Sequence, residues 1–337
     1  MDGSPGVAAL LPGVDHSLPA GFTSRPATSG DVDPIMGLMA ASAMAAVGVA
    51  DVTRDEVESD LATPGLDLER DSWLVHDRSG AVAAFGFALD DGSERVFVDV
   101  YLHPDHDDVT YREVGGWLMD RGLARLQVRL EGSKRPSVVV GSGYYRSEHR
   151  QADLLVGTGM AWDRTFWRMH KDLSAADTDP VELPPAVRIR LVDFARESDR
   201  LAAHRISNDA FREHHGFVEV AADDFWKGAE RPPLFDPTQW WLAEVDGEPA
   251  GLLIADESRT ETGVGYVRTL GVLPQFRGRG VAKSLLRTAW AEFAGRDRTA
   301  TELGVDSENS TGATALYESV GMQPTLVIDF YELTLQV

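Results

Sequence analysis

The sequence predicts an α/β (α+β) chain made of two tandem copies of one domain, the first of them degenerate. Runs rich in strand formers alternate with runs of helical period along the 337 residues. Three stretches of the first half also recur, in the same order, in the second. Between the halves, SAADTDPVELPPA (Ser174 to Ala186) is rich in proline and acid and has no apolar period, as a linker would. A single large α/β domain would interleave strands and helices equally well; the ordered repeats argue for two. The expected organisation is a flexible tail over 1–20, a first domain over 21–173, a linker over 174–186 and a second domain over 187–337.

The repeats justify the elements in turn. DSWLVHDRSGAVAAFGFALD from Asp71 resembles QWWLAEVDGEPAGLLIADE from Gln239, each a strand, a Gly-containing turn and a second strand. VDVYLHPDHDD from Val98 parallels VRTLGVLPQFRG from Val267, with Pro104 answering Pro274. A helical pattern follows each, WLMDRGLARL in one half and KSLLRTAWAEF in the other, where Val281, Leu285, Ala289 and Phe293 share a face. LLVGTGMAWDRTFWRMHKDL from Leu154 parallels LYESVGMQPTLVIDFYELTL from Leu316, with Gly159-Met160 answering Gly321-Met322. The second half further predicts a strand at VRIRLVD, a helix with Leu201, Ala202, Ile206 and Ala210 on its apolar side, and a short helix at ADDFWKGAE. It then predicts a strand at TATELGVD, a helix over TGATALYESVG and a closing strand at TLVIDFYELTL.

Charge and composition restrict the chemistry. A net charge of -22 argues against a nucleic-acid partner, and its field suits a cationic or amine substrate. With no cysteine there is no disulfide, thiolate nucleophile or zinc–thiolate site, and a reducing cytoplasm is the expected home. The N-terminal stretch lacks a basic start and is interrupted by Pro12, unlike a signal peptide. IMGLMAASAMAAVGVA (Ile35 to Ala50) falls short of the about 20 apolar residues a bilayer span needs and reads as a buried helix. Its Met36, Met39 and Met44 are expected mainly in the core, although methionines also suit an acceptor pocket.

One stretch is locally basic. QFRGRGVA, from Gln275 to Ala282, sets two glycines and two arginines in four residues between a strand and a helix. A helix N-terminus offers unpaired N–H groups and the positive end of its dipole. Gly278 and Gly280 would let the backbone close on an anion, and Arg277 and Arg279 add charge. A tight turn without a ligand has the same pattern. PQFRGRGVAKSLL nevertheless resembles the acyl-CoA pyrophosphate loop of the GNAT N-acetyltransferase superfamily, Gln/Arg-x-x-Gly-x-Gly/Ala, with Gln275, Gly278 and Gly280 in place. GVDSENSTGATALYESVGM is similar to that family's second signature through Asn309, Ala315, Leu316, Tyr317 and Gly321. The resemblance covers Val187 to the end well and the first half only faintly.

The resemblance implies two tandem GNAT-like domains, each a mixed, mostly antiparallel sheet flanked by helices, with acetyl-CoA as co-substrate. It implies that Leu270, Gly271 and Val272 meet the pantetheine arm, one N–H polarising the thioester carbonyl. Gln275, Phe276, Arg277, Gly278, Arg279, Gly280, Val281 and Ala282 would hold the pyrophosphate, with Asn309 and Ala315 completing the site. Tyr317 would protonate the leaving thiolate; a buried packing tyrosine and, for Asn309, a helix cap are the structural alternatives. Relatives often carry a glutamate on the strand before the loop, and GYVRTLGV has none. Candidate bases are therefore Glu302, Glu308, His204, His214 and His215, with water as the default. The paired histidines with Asp223 and Asp224 match no established metal-ligand spacing, so no metal is expected.

The first half has lost both signatures. DHDD (Asp105 to Asp108) replaces QFRG, Leu155 stands for Tyr317 and Ser147 roughly for Asn309. Carboxylates there would repel a pyrophosphate. The expected function is acetyl transfer to a primary amine of a small molecule, in a ternary complex and without a membrane or nucleic-acid partner. A CoA-binding scaffold without turnover is the alternative.

Overall fold

The repeat folds as two units with a common plan, one of Met1–Phe166 with Leu326–Val337 and one of Trp167–Thr325. The structure is a computed structural model that describes residues 7–8, 17–90, 95–131, 133–179, 181–214, 216–230, 234–309 and 311–336. Most of the expected tail over 1–20 lies outside these residues, as does His215. By contacts the last strand groups with the first unit, whereas the sequence expectation kept 187–337 together. The reason is a ladder in which Ile328 to Gln336 runs antiparallel to Ser137–Tyr145.

The first unit contains β1 (Val7–Ala8), β2 (Thr23–Arg25), α1 (Val32–Val47), α2 (Arg54–Leu61), α3 (Leu68–Asp71), β3 (Ser72–His76), β4 (Val82–Leu89) and β5 (Arg95–Leu102). It continues with α4 (Asp108–Leu130), β6 (Ser137–Tyr145), α5 (His149–Gly157) and the start of β7 (Ala161–Asp172). The second unit takes over in β7 and adds β8 (Val187–Leu191), α6 (Glu197–Asp209), α7 (Ala222–Ala229), β9 (Trp240–Val245), β10 (Glu248–Asp256), β11 (Val264–Val272), α8 (Val281–Gly295), β12 (Ala300–Asp306) and α9 (Ala313–Ser319). The last strand is β13 (Gln323–Gln336).

Each predicted element is present. The two hairpins are β3–β4 and β9–β10. Both helices that follow the prolines form, and both Gly-Met pairs follow a short helix, with Gly159 and Gly321 at φ 88° and 90°. No helix of the described residues is long and apolar enough to cross a membrane. α1 instead buries Ile35, Leu38 and Ala43 and leaves Met44 exposed; Met39 joins Phe85, Phe87 and Tyr101 around a small apolar cavity.

In the second unit β8 to β11 run antiparallel, and β11 pairs parallel with β12. Val281, Leu285, Ala289 and Phe293 are all buried, so α8 covers one face of the sheet as its period required. α6 covers the opposite face through Ala202, Ala203 and Ile206; Leu201, expected inside, is 57% exposed. Its helical period places it one step off the stripe, where solvent is the neighbour. Arg190 anchors α6 to the sheet by pairing with Asp199 and with Glu244. Phe194, Phe225, Trp226, Phe235 and Trp240 pack edge to face around α7, with Trp226 and Trp240 stacked at 5.8 Å.

One half-buried carboxyl in the first unit makes stability depend on pH. Burial raises Asp99 to about 6, against the lowering effect of hydrogen bonds from Ser142 and the Gly143 backbone. The folded state therefore holds an extra proton between the unfolded value near 4 and about 6, and stability falls as pH rises through that window. Asp99→Asn should keep the 3.0 Å contact with the Ser142 hydroxyl. At pH 7.5 it should stabilise the protein by on the order of 1–2 kcal/mol. Thermal melts at pH 7.5 and pH 5 check this: the gain in Tm should shrink at the lower pH.

Candidate active site

The site grows out of a fault in the sheet. β11 and β12 pair only from Val264↔Ala300 to Val267↔Leu303, although β11 runs on to Val272 and β12 to Asp306. The register between β10 and β11 slips at Arg268, a one-residue bulge that turns β11 away from β12. Leu273 N–H bonds the Ala250 carbonyl on β10. Strand alternation then directs the N–H groups of Leu270 and Val272 the other way, into the gap. Gly271 points at α6: a Cβ there would stand 2.9 Å from the Ala210 Cβ.

At the mouth of the gap the chain makes a 3₁₀ turn over Pro274–Phe276 and enters α8. Gly278 and Gly280 have φ of 76° and 79°, which L side chains rarely adopt. Gly280 is the N-cap of α8, no side chain caps the helix, and its first turn contains no acid. The foremost N–H groups thus face outward with the dipole unopposed. Nothing lies within 4 Å of a Cβ built on Gly278, while one on Gly280 would meet Pro184 at 3.1 Å. This opening fits an anionic group such as a pyrophosphate, and the free strand edge beside it fits an amide-bearing arm.

The arginines divide. Arg277 turns back to Glu213 at 2.6 Å and to the Ala210 carbonyl at 3.2 Å. Arg279 stays 53% exposed, 3.9 Å from Asp246 and with its guanidinium over the Phe276 ring. Gln275 is exposed, Phe276 and Val281 are buried and Ala282 is half-buried at the start of α8. Ala315 is exposed on α9.

Tyr317, on α9, is buried in the core of the second unit. Burial pushes its phenol up to about 12, so it keeps its proton at neutral pH. Asn309 does not cap α9, whose N-cap is Gly312. It accepts from the Thr311 backbone and hydroxyl, and its amide lies 3.4 Å from His214 Nε2. The His214 ring packs edge-on against Phe211, and burial lowers its pKa below the ordinary histidine value. His204 instead ties the α6–α7 connection, 2.7 Å from the Val220 carbonyl. Glu308 is exposed, and its N–H is held by Asp306.

Glu302 sits where β11 and β12 are last joined, paired across the strands with Tyr266. His170 Nδ1 lies 3.0 Å from its Oε1. Arg259 and Arg168 stand 3.6 and 3.9 Å from its Oε2. The sequence reading missed His170 and both arginines. A period-2 scan of WRMHKD would have set Arg168, His170 and Asp172 on one face.

The first unit repeats the fault and fills it. β5 and β6 pair in parallel from Arg95↔Val139 to Phe97↔Gly141 and then part. With the prolines matched, Val100 answers Leu270. Tyr144 hydroxyl accepts from Val100 N–H at 2.6 Å and donates to the Val100 carbonyl at 2.5 Å. Gln151 amide points at the same carbonyl from 3.4 Å, and Ser142 hydroxyl bonds the Val98 carbonyl. α4 starts without a glycine turn, and Asp107 caps it by accepting from Val109 and Thr110 N–H at 3.0 and 2.8 Å. Both features that stay open in the second unit are thus closed by the first unit's own side chains.

Residues 200–322 match the model of the acetyltransferase (GNAT) family. The chain is 32% identical over 174 residues to a mycothiol acetyltransferase of Thermobispora bispora, covering half of this chain and 57% of that one. A mycothiol acetyltransferase of Kocuria rhizophila is 27% identical over 282 residues, 79% of this chain and 90% of that one. Among solved structures, a GCN5-related N-acetyltransferase from Sphaerobacter thermophilus superposes with a TM-score of 0.79 at 26% identity, over 95% of this chain and 98% of that one. A tandem GNAT protein from the clavulanic acid biosynthesis pathway shares the fold, with a TM-score of 0.65 at 17% identity, over 94% of this chain and 98% of that one. With two parted strand pairs, one open and one filled, the chain has a tandem GNAT-like architecture, and residues 200–322 of its second unit match the acetyltransferase (GNAT) family.

Proposed function

We propose that the second unit transfers an acetyl group from acetyl-CoA to a primary amine of a small molecule, by direct attack in a ternary complex. The observation that carries this reading is the uncapped N-terminus of α8 beside the unpaired edge of β11. In this reading Gly278, Gly280, Val281 and Ala282 present N–H groups to the pyrophosphate, with Arg279 beside them. Leu270 and Val272 present N–H groups to the pantetheine arm, and one of them polarises the thioester carbonyl. Tyr317, protonated well past neutrality, gives its proton to the departing sulfur as the C–S bond breaks. Direct attack needs no covalent enzyme intermediate, which suits a chain with no cysteine.

Charge supports a cationic acceptor, since the chain carries 54 acids against 32 basic residues. The relatives named mycothiol acetyltransferases add a cysteinyl amine to the acceptors worth testing. A reducing cytoplasm is the compartment we propose.

The test is thiol release from acetyl-CoA with a panel of primary amines. The protein has no thiol of its own to raise the background. Turnover that needs an amine supports the proposal. Tight acetyl-CoA binding without turnover points to a scaffold, and no binding defeats both.

A further inference from the structure

Outside the residues that meet acetyl-CoA in the proposed function, the second unit contains a line of three proton-bearing side chains. It starts at Glu302, where β11 and β12 part, and ends in solvent. Glu302 Oε1 lies 3.0 Å from His170 Nδ1, and His170 Nε2 lies 3.2 Å from Asp172 Oδ1. Exposure rises along the line, from 13% for the Glu302 side chain through 28% for His170 to 94% for Asp172. The other Glu302 oxygen, Oε2, is shut off from solvent and accepts no hydrogen bond from a described residue. From these distances and this gradient we infer that Glu302, His170 and Asp172 form the path by which the acceptor amine's proton leaves the site.

Position favours Glu302 over His214 as the inner end. The joined segment of β11 ends at Val267, and the strand ends at Val272. Five residues of strand span roughly 17 Å, so an arm held at the α8 end and running down the gap brings its acyl group towards Glu302. His214 lies at the other end of the gap, beside Asn309.

Among the described residues, charged groups from three elements gather around His170 and its partner Glu302. On its own strand are Arg168 and Asp172, on β12 Glu302, and on the β10–β11 connection Arg259. Tyr266 of β11 lies under the Arg168 guanidinium at 6.0 Å. Lys171 points to the opposite face, over the Trp290 ring, and pairs with Asp177. Burial alone would lower the His170 pKa, but its hydrogen bonds to Glu302 and Asp172 outweigh that and leave it raised. Arg168 and Arg259 flank Oε2, so the incoming ammonium donates its hydrogen bond to Glu302 at Oε1, the oxygen that faces His170.

Glu302 accepts one proton from the ammonium, which leaves the nitrogen lone pair free. As the C–N bond forms and the C–S bond breaks, the bonding pair goes to sulfur, and sulfur takes the Tyr317 proton. The second nitrogen proton restores Tyr317, and the amide keeps the third. His170 accepts the Glu302 proton at Nδ1 and releases one from Nε2 towards Asp172 and water. Exchange with solvent at its partly exposed ring restores the starting tautomer. One proton is released per turnover when the acceptor enters as an ammonium.

The relay rests on the acetyltransferase reading, and its test separates the two. Activity of the wild type should fall as pH drops through the raised His170 pKa, because a histidine already protonated cannot accept from Glu302. His170→Gln keeps hydrogen-bonding capacity but carries no proton. It should lower kcat by about 10- to 100-fold and remove that acid limb, with KM for acetyl-CoA unchanged. Asp172→Asn removes the acceptor at the outer end of the path, and should lower kcat by about three- to tenfold and move the limb to lower pH. It serves as the test if the histidine variant fails to fold. Wild-type pH profiles in both variants would overturn the relay alone. Absence of amine turnover by the wild type would overturn the acetyltransferase reading as well.

Discussion

Gly280→Asp should weaken acetyl-CoA binding by at least about a hundredfold, measured by calorimetric titration against the wild type. Two physical effects add. The residue sits at φ 79° with Pro184 3.1 Å from where a Cβ would stand, so any side chain displaces the loop. A carboxylate also brings like charge to the anion opening, about 1 kcal/mol per phosphate charge at 4 Å in water and several times more where solvent is partly excluded. A second pair of variants separates these effects. Gly278 has the same backbone sign but open space around its Cβ, and Asn and Asp tolerate that conformation better than other side chains. Gly278→Asn should bind nearly as the wild type and Gly278→Asp about tenfold more weakly, the difference reading charge alone. Equal affinities for all the variants would mean that the pyrophosphate does not sit at the start of α8. The wild type should show one site per chain, because Asp107 and Tyr144 already occupy the corresponding groups of the first unit.

Tyr317→Phe should lower kcat by about 10²- to 10³-fold while leaving acetyl-CoA affinity within about twofold. The phenol is buried and pushed up to about 12, so it remains a proton donor across the working range and contributes no basic limb to the pH profile near neutrality. Its hydroxyl makes no hydrogen bond to a described residue, so its removal leaves no partner unsatisfied and the fold should persist. Steady-state kinetics on the best amine of the panel, with a thermal melt alongside, checks both halves. A variant with wild-type kcat would show that the thiolate leaves unaided or takes its proton from water.

How much of this was legible depends on the range of the interactions involved. The α8 face, the glycine loop and the Gly-Met helix ends are local properties, set by side-chain period and by backbone angles that glycine alone adopts freely. They could be read from single stretches, and the repeats marked the two copies. The Leu201 misplacement shows the limit of such reading, since a helical stripe has an uncertain edge until a neighbour defines it. Arg277 shows another. Its charge looked available to a ligand, but Glu213, far away in sequence, holds it. His170 went unnoticed because its meaning depends on Glu302, a partner 132 residues away.

The sequence by itself determined the element order, the duplication, the glycine turn before α8 and the loss of that turn in the first half. These follow from composition and spacing along the chain, which no fold can change. Tertiary structure alone decided that the first unit's gap is plugged by Tyr144, that the last strand completes the first unit's sheet, and that Glu302 faces His170 rather than solvent. Each of these depends on residues brought together by strand register, and register is a property of the assembled sheet.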